Sequence, residues 1–413
     1  MQVASGAGRP TVLVLASTYP RWHGDPEPGF VHELAKRLSR NFRVIVLAPH
    51  ASGASTHEVL DGVEVQRYRY APQRLETLVN DGGVVTNLRL HRWKFMLVPG
   101  FVLAQVWMCW RLCKRLNVDV IHAHWLIPQG LIAACLQRFH GRQVPFVVTS
   151  HGADLYALKG VVFDQVRRFV LRHASGVTVV SSAMCDLLQS SGAPMEKVSV
   201  LPMGVDIEGR FTPDPTVERS KHEILFVGRL VEKKGVRYLL AALPRVLKAV
   251  PDARLTIAGF GPDLEALQAQ ARELGLEAVV RFTGALPQSE LPDYYRKAAI
   301  FVAPFVQAGS GDQEGLPVAL MEAVCCGCPV VAGDIPGIGD LLGQDRVQVC
   351  VEARDDEALA SRIIEALSDP VSAQDCANRI RITASRHVDW TRIADGYAAL
   401  LADSMQTSRA TVP

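Results

Sequence analysis

Residues 224–250 read ILFVGRLVEKKGVRYLLAALPRVLKAV. The opening run, Ile224–Val227, is short and continuously apolar, which predicts a strand buried on both faces of a parallel sheet. A glycine-led turn with several cations follows, and then a helix over Gly235–Val250. The same unit recurs downstream. Strands are expected at Leu255–Ala258, Val280–Thr283, Ile300–Ala303, Val330–Ala332 and Val347–Val351, with helices at Asp263–Leu274 and Val318–Cys326. It also recurs upstream, with strands at Val12–Ala16, Val44–Ala48, Val118–Ile121, Phe146–Thr149, Val177–Val180 and Val198–Leu201. Val63–Tyr70 alternates instead and reads as an edge strand or hairpin arm. Helices fit Val31–Ser39, Gly130–Phe139 and Ala183–Gln189. Strand–helix–strand repetition implies right-handed crossovers and doubly wound α/β sheets.

Gly204–His222 (GVDIEGRFTPDPTVERSKH) breaks the pattern with two prolines, several charges and little periodicity, and reads as a linker. The chain therefore divides into residues 1–204, a linker at 205–222, a second domain at 223–386 and a C-terminal segment at 387–413. Two α/β domains of similar length leave a cleft between them. In open α/β sheets ligands sit at the carboxyl ends of the strands, so the loops after strands are where chemistry is sought.

Composition narrows the classes. The 413 residues are 48% apolar and 21% charged, which excludes disorder as the default state. The net charge of +2 is small for a dedicated nucleic-acid binder. Nine cysteines in so long a chain do not suggest a disulfide framework, and Cys325-Cys326-Gly327-Cys328 reads as buried thiols because its spacing does not suit a metal site. The start, MQVASGAGRPTVLVLAS, reads as leading into a strand and not as a secretory leader, so a cytoplasmic protein is expected. One stretch leaves three readings open. Phe95–Trp110 (FMLVPGFVLAQVWMCW) is apolar apart from Gln105 and is flanked by Arg92, Lys94, Arg111, Lys114 and Arg115. It is a buried helix, a helix lying in the inner membrane surface with Trp93, Trp107 and Trp110 at the headgroups, or a span. Its 16 residues fall short of the ~20 a span needs, and Pro99-Gly100 interrupts them.

Three constellations point to chemistry. In Glu314-Gly315-Leu316-Pro317-Val318-Ala319-Leu320-Met321-Glu322-Ala323, Pro317 suits the first turn of a helix and Gly327 its end. Glu314 then stands in the loop ahead of that helix. Glu322 lies inside it, among residues so apolar that its carboxylate needs a partner such as the vicinal hydroxyls of a ribose, or else it is a solvated surface residue. The free amides at the helix start suit a sugar or phosphate. Next, Gly228-Arg229-Leu230-Val231-Glu232-Lys233-Lys234-Gly235 places Arg229 at a strand's carboxyl end and Lys234 near a helix start. That is a pyrophosphate clamp needing no metal, or else a solvated basic turn. Third, Ser150-His151-Gly152-Ala153-Asp154 follows a strand directly, aiming His151 at the cleft to bond a sugar or to serve structurally, with Gly152 permitting close backbone approach. Two weaker signals are His122-Ala123-His124, read as cleft-lining or structural, and Gly259-Phe260-Gly261-Pro262-Asp263-Leu264, read as a tight strand-to-helix turn.

Taken together, Glu314 and Glu322 eight apart, the Gly-Arg-Leu…Lys-Lys-Gly segment upstream and His-Gly-Ala-Asp earlier still resemble the retaining glycosyltransferases of family 4. The resemblance implies a GT-B fold, with two Rossmann-like domains facing across a cleft and a final helix, here Asp389–Asp403, crossing back to the first domain. It implies a nucleotide-diphosphate sugar on the C-terminal domain and a saccharide or lipid-linked acceptor on the N-terminal one. By the same resemblance Arg229 and Lys234 neutralise the departing diphosphate, with Gly228 beside them, and no metal or other cofactor is required. Glu322 holds the ribose; Glu314 with the amides of Gly315 and Leu316 fixes the donor sugar; His151 lies near the reacting sugar. The loop Thr18–Glu33 has one glycine at the helix entry where many relatives have two. It is similar to that of enzymes making bacterial exopolysaccharide or other cell-surface glycans, and Gly29, Phe30 and His124 are assigned to acceptor or cleft. The readings set against a transferase are a nucleotide-sugar epimerase or phosphorylase on the same fold, and a non-catalytic nucleotide-sugar-binding protein.

Overall fold

The computed structural model describes residues 8–25, 29–79, 83–139 and 144–410. The first residues of the chain and Pro26-Glu27-Pro28 of the Thr18–Glu33 loop lie outside them. The N-terminal domain is built on eight strands: β1 Thr11–Leu15, β2 Arg43–Pro49, β3 His57–Leu60, β4 Val63–Tyr68, β5 Val118–His124, β6 Phe146–Ser150, β7 Gly176–Val179 and β8 Val198–Val200. They lie in the order β3-β4-β2-β1-β5-β6-β7-β8. All pairs are parallel except β3 with β4, whose hairpin accounts for the alternating pattern at Val63–Tyr70. β1 is buried at every position, as a central parallel strand covered on both faces must be.

The second domain has six strands, β9 Glu223–Val227, β10 Arg254–Ala258, β11 Val280–Gly284, β12 Ile300–Ala303, β13 Val330–Gly333 and β14 Cys350–Val351, all parallel and ordered β11-β10-β9-β12-β13-β14. This is the Rossmann order. Its direction reverses between β9 and β12, and there the loops after those strands diverge and open a crevice. One expected strand is shorter than its sequence suggested. Val347–Val351 is helical at Arg346–Val349 and extended only at Cys350–Val351. Val347 is 78% exposed, so this run has no second layer to bury it, and an Arg346–Asp334 ion pair of 2.6 Å holds the turn instead.

Residues 205–222 link the domains without a helix or a named strand, although Val205 and Phe211 are buried. The last helix, Trp390–Ala410, returns to the N-terminal domain. It buries Trp390, Ile393, Tyr397 and Leu401 in one cluster with Val12 and Val14 of β1 and Leu34 of the helix Phe30–Leu38. Val205 pairs with Asp389 where the two crossings meet. Gly204 lets them approach: a Cβ there would lie 2.5 Å from the Trp390 ring.

The apolar stretch at 95–110 belongs to a longer helical run, Arg92–Arg115, of 24 residues, whose most apolar 18-residue window has a mean hydropathy of 1.4, long and apolar enough by composition to cross a membrane. Pro99 does not interrupt it. It sits in the first turn of the helix Val98–Arg115, where its missing N–H costs no hydrogen bond. Phe101, Cys109 and Leu112 from this helix join Leu13, Leu15, Ile45 and Leu47 of β1 and β2 in one core.

Candidate active site

The crevice of the second domain is shaped by glycines. Gly235 adopts φ 69°, and a Cβ on it would lie 1.7 Å from the Pro304 carbonyl oxygen, so only glycine lets the turn after β9 touch the loop after β12. That contact brings the second and first constellations together. Glu314 lies 3.2 Å from the Lys234 ammonium and 3.3 Å from that of Lys233. Burial opposes ionisation of Glu314, but the two ammonium groups outweigh it and hold its carboxyl at about 2. Lys233 also faces Asp312 at 3.4 Å, and although burial works against its charge, Glu314 and Asp312 draw its pKa upward. Lys234 is drawn downward by burial and by the neighbouring charges of Lys233 and Arg229, and its ammonium stands 5.1 Å from the Phe305 ring centroid. Arg229 is near enough to act on both lysines. Lys233 and Lys234 thus share two carboxylates with the Arg229 charge close by, a cluster of cations suited to a diphosphate.

Glu322 is buried in the helix Val318–Cys325, as its apolar neighbours predict. Its partners come from the protein itself: Tyr295 Oη donates to Oε2 and Gln288 Nε2 to Oε1, each at 2.9 Å. Burial raises its carboxyl to about 7 even so. Tyr295, Gln288 and Lys233 were not singled out by sequence reading, because their relevance depends on which loops meet. Cys325, Cys326 and Cys328 pack in the core around this helix, their thiols pushed up by burial.

On the facing domain, His151 follows β6. Its Nε2 is 2.9 Å from Nδ1 of His124, the two rings stacked with 5.2 Å between centroids. His124 does not line the cleft as expected; it is fully buried behind His151 and supports it. Burial depresses His151 to about 3 and His124 well below the usual range, so both imidazoles are neutral near pH 7. Phe30 and Trp125 flank His151 at 4.9 and 5.0 Å. Gly29 precedes the helix Phe30–Leu38, and a Cβ on it would meet nothing within 4 Å, so sterics do not demand glycine there. Asp154, also buried, accepts from Leu126 N at 2.6 Å and Ser150 Oγ at 2.7 Å and ties the loop after β5 to the loop after β6.

The two halves touch. A Cβ on Gly152 would be 3.2 Å from Gly315 N, and one on Gly315 would be 3.0 Å from the His151 carbonyl oxygen. His151-Gly152 and Glu314-Gly315 therefore face each other across the cleft. Leu316, next along, packs partly buried against the cores of both domains. Gly228 opens the turn after β9, with the site of its absent Cβ 3.6 Å from Lys234 Cε.

The chain matches two family models, Glycosyltransferase Family 4 over residues 30–208 and Glycosyl transferases group 1 over residues 211–383. It is 32% identical over 271 residues to a GDP-mannose-dependent alpha-(1-6)-phosphatidylinositol monomannoside mannosyltransferase of Mycolicibacterium smegmatis, covering 63% of this chain and 70% of that one. It is 31% identical over 309 residues to the amylovoran biosynthesis glycosyltransferase AmsK of Erwinia amylovora, covering 73% of each. Among solved structures, sucrose-phosphate synthase from Thermosynechococcus elongatus has a TM-score of 0.78 at 20% identity, covering 97% of this chain and 100% of that one. Anabaena HepE in complex with UDP and glucose has a TM-score of 0.71 at 19% identity, covering 96% and 100%. These two structures share the fold.

Proposed function

The chain belongs to glycosyltransferase family 4 and has the GT-B fold, and from that membership we propose that it moves a sugar from a nucleoside-diphosphate donor to a saccharide or lipid-linked acceptor in making bacterial cell-surface polysaccharide. Transfer proceeds with retention and without a metal ion. The observation that supports this most is the meeting of Arg229, Lys233, Lys234 and Glu314 at the strand-order reversal of the second domain, opposite His151. The donor's bond from anomeric carbon to phosphate oxygen breaks, and a bond from that carbon to the acceptor oxygen forms on the same face. The acceptor proton leaves with the diphosphate. Negative charge grows on the diphosphate, and cations fixed beforehand stabilise it without reorganising. Glu314 fixes the donor sugar, Glu322 the ribose, and neutral His151 bonds the reacting sugar.

Relatives and neighbours bear on the donor only by class. One relative's name gives GDP-mannose, and one neighbour's structure contains UDP and glucose; a nucleoside diphosphate is common to both. The test is a thermal-shift screen of nucleoside diphosphates, since a ligand bound only by the folded state raises the melting temperature. At least one diphosphate should raise it. With the donor so identified, Arg229→Ala and Lys234→Ala should lower turnover about 100-fold or more while weakening donor binding less. Unchanged turnover in both variants would remove the clamp from the mechanism, and failure of every nucleoside diphosphate to bind would remove the donor class. Activity surviving a chelator, with the product keeping the donor's anomeric configuration by NMR, tests the other two claims.

A further inference from the structure

The helix Val98–Arg115 has two faces of opposite fate. Phe101, Gln105, Cys109 and Leu112, spaced by four, four and three residues, are buried against the sheet. Leu103, Trp107 and Trp110, spaced by four and three, point the other way and are 67%, 54% and 39% exposed. Met96 and Phe95, in the turns just before the helix, are 83% and 57% exposed. Large side chains on one stripe in water are costly unless something covers them.

The charge around the stripe indicates what covers it. No aspartate or glutamate occurs between Asp81 and Asp119, while Arg89, Arg92, Arg111, Lys114 and Arg115 in that interval are all exposed. Two cations lean over the exposed tryptophans, Arg111 at 5.3 Å from the Trp107 ring and Lys114 at 4.1 Å from the Trp110 ring. Aromatic rings under a one-signed cationic belt match the boundary between acyl chains and anionic headgroups. A second copy of the chain would set like charges against each other in a symmetric contact. A span would need to strip Phe101, Cys109 and Leu112 from the core they share with Ile45 and Leu47, and to break the 3.3 Å bond from Gln129 to buried Gln105.

We infer that this face lies on an anionic lipid bilayer as a surface contact and not as a span. The strand β4 is parallel to β2 and ends at Tyr68, so Arg69 and Tyr70 leave it at the carboxyl edge of the sheet, the edge that also bears Phe30 and His151. Gly100 seats the helix start there, its absent Cβ 2.6 Å from the Tyr70 carbonyl oxygen. The turn with Phe95 and Met96 therefore stands on the cleft side of the domain, and docking brings the mouth of the cleft to the lipid surface. This deepens the lipid-linked acceptor reading and rests on it for its purpose. The binding itself is measured without donor or acceptor, so failure of one leaves the other standing.

The test is co-sedimentation of the full chain with vesicles of phosphatidylcholine alone or mixed with phosphatidylglycerol, at low and high salt. The protein should pellet with the anionic vesicles, about tenfold less with the neutral ones or at high salt. Trp107→Glu and the triple variant Arg111→Gln, Lys114→Gln, Arg115→Gln should each lose about tenfold in partitioning, with circular dichroism and melting temperature as in the parent. Recovery of the parent in the supernatant with anionic vesicles at low salt would overturn the inference, as would equal binding by folded Trp107→Glu. Light scattering that shows a dimer dispersed by Trp107→Glu, with no vesicle binding, would assign the face to a second copy. Resistance of the membrane-bound protein to alkaline carbonate would make it a span.

Discussion

Glu322 shows at the scale of one residue how a buried carboxylate is met by donors from elsewhere in the chain. Its carboxylate is buried and accepts from Tyr295 and Gln288, yet burial still raises its pKa from 4.5 to about 7. A carboxyl whose folded pKa exceeds its unfolded one binds protons better when folded. Its contribution to stability is complete below about pH 4.5 and is lost as pH rises through about 7. The loss amounts to at most about 3 kcal/mol. Glu322→Gln, which resembles the protonated form, should flatten the fall in melting temperature between these pH values relative to the parent. An identical pH dependence in the variant would show that the carboxylate does not titrate there. The same substitution should weaken nucleoside-diphosphate binding, because a ribose hydroxyl donates better to a carboxylate than to an amide. Unchanged nucleotide affinity would withdraw the ribose role.

Elements explain why some of this was legible beforehand and some was not. A strand buried on both faces advertises itself as an unbroken apolar run, so β1, β5, β9 and β12 could be read directly from the chain. Val347–Val351 has the same composition, but it lies at the sheet edge and exposes Val347, and no local pattern separates an edge turn from a central strand. Glu322 could be placed in an apolar helix from its neighbours, whereas Tyr295 and Gln288 arrive from 27 and 34 residues away and only the fold names them. Lys233 faces Glu314 only because Gly235 lets two loops touch. The return of the last helix was expected from resemblance, and its structural basis is Trp390: 5% exposed, covered by the Arg37 guanidinium at 4.8 Å, and packed against Gly204. Trp390→Ala should destabilise the protein by about 3–5 kcal/mol in urea unfolding, the range for deleting a buried indole. A loss below about 1 kcal/mol would mean that the helix docks through Tyr397 and Leu401 and that Trp390 is dispensable.

At the scale of the whole molecule, the proposed transfer needs the clamp and His151 brought to one donor sugar, and contacts between the domains set that distance. Gly337 is one, with the site of its absent Cβ 2.8 Å from Ser181 Oγ and 2.6 Å from the Gly315 carbonyl oxygen. Beside it, Asp340 of the second domain accepts from Ser182 N at 2.6 Å and from Ser182 Oγ, at the start of the helix Ser182–Ser190 of the first domain. A carboxylate at a helix N-terminus meets free amides and the positive end of the dipole, so this bond favours the closed arrangement from outside the cleft. A hydrogen bond to a charged group contributes about 1.5–3 kcal/mol, and exposure puts this one at the low end. Asp340→Ala should therefore shift the open–closed balance about tenfold toward open. Small-angle scattering of the unliganded variant should give a larger radius of gyration, and turnover at saturating donor should fall, by up to the same factor, where closure precedes chemistry. Ser182→Ala retains the backbone donor and should have the smaller effect. If Asp340→Ala matched the parent in both radius and turnover, closure would owe nothing to this carboxylate.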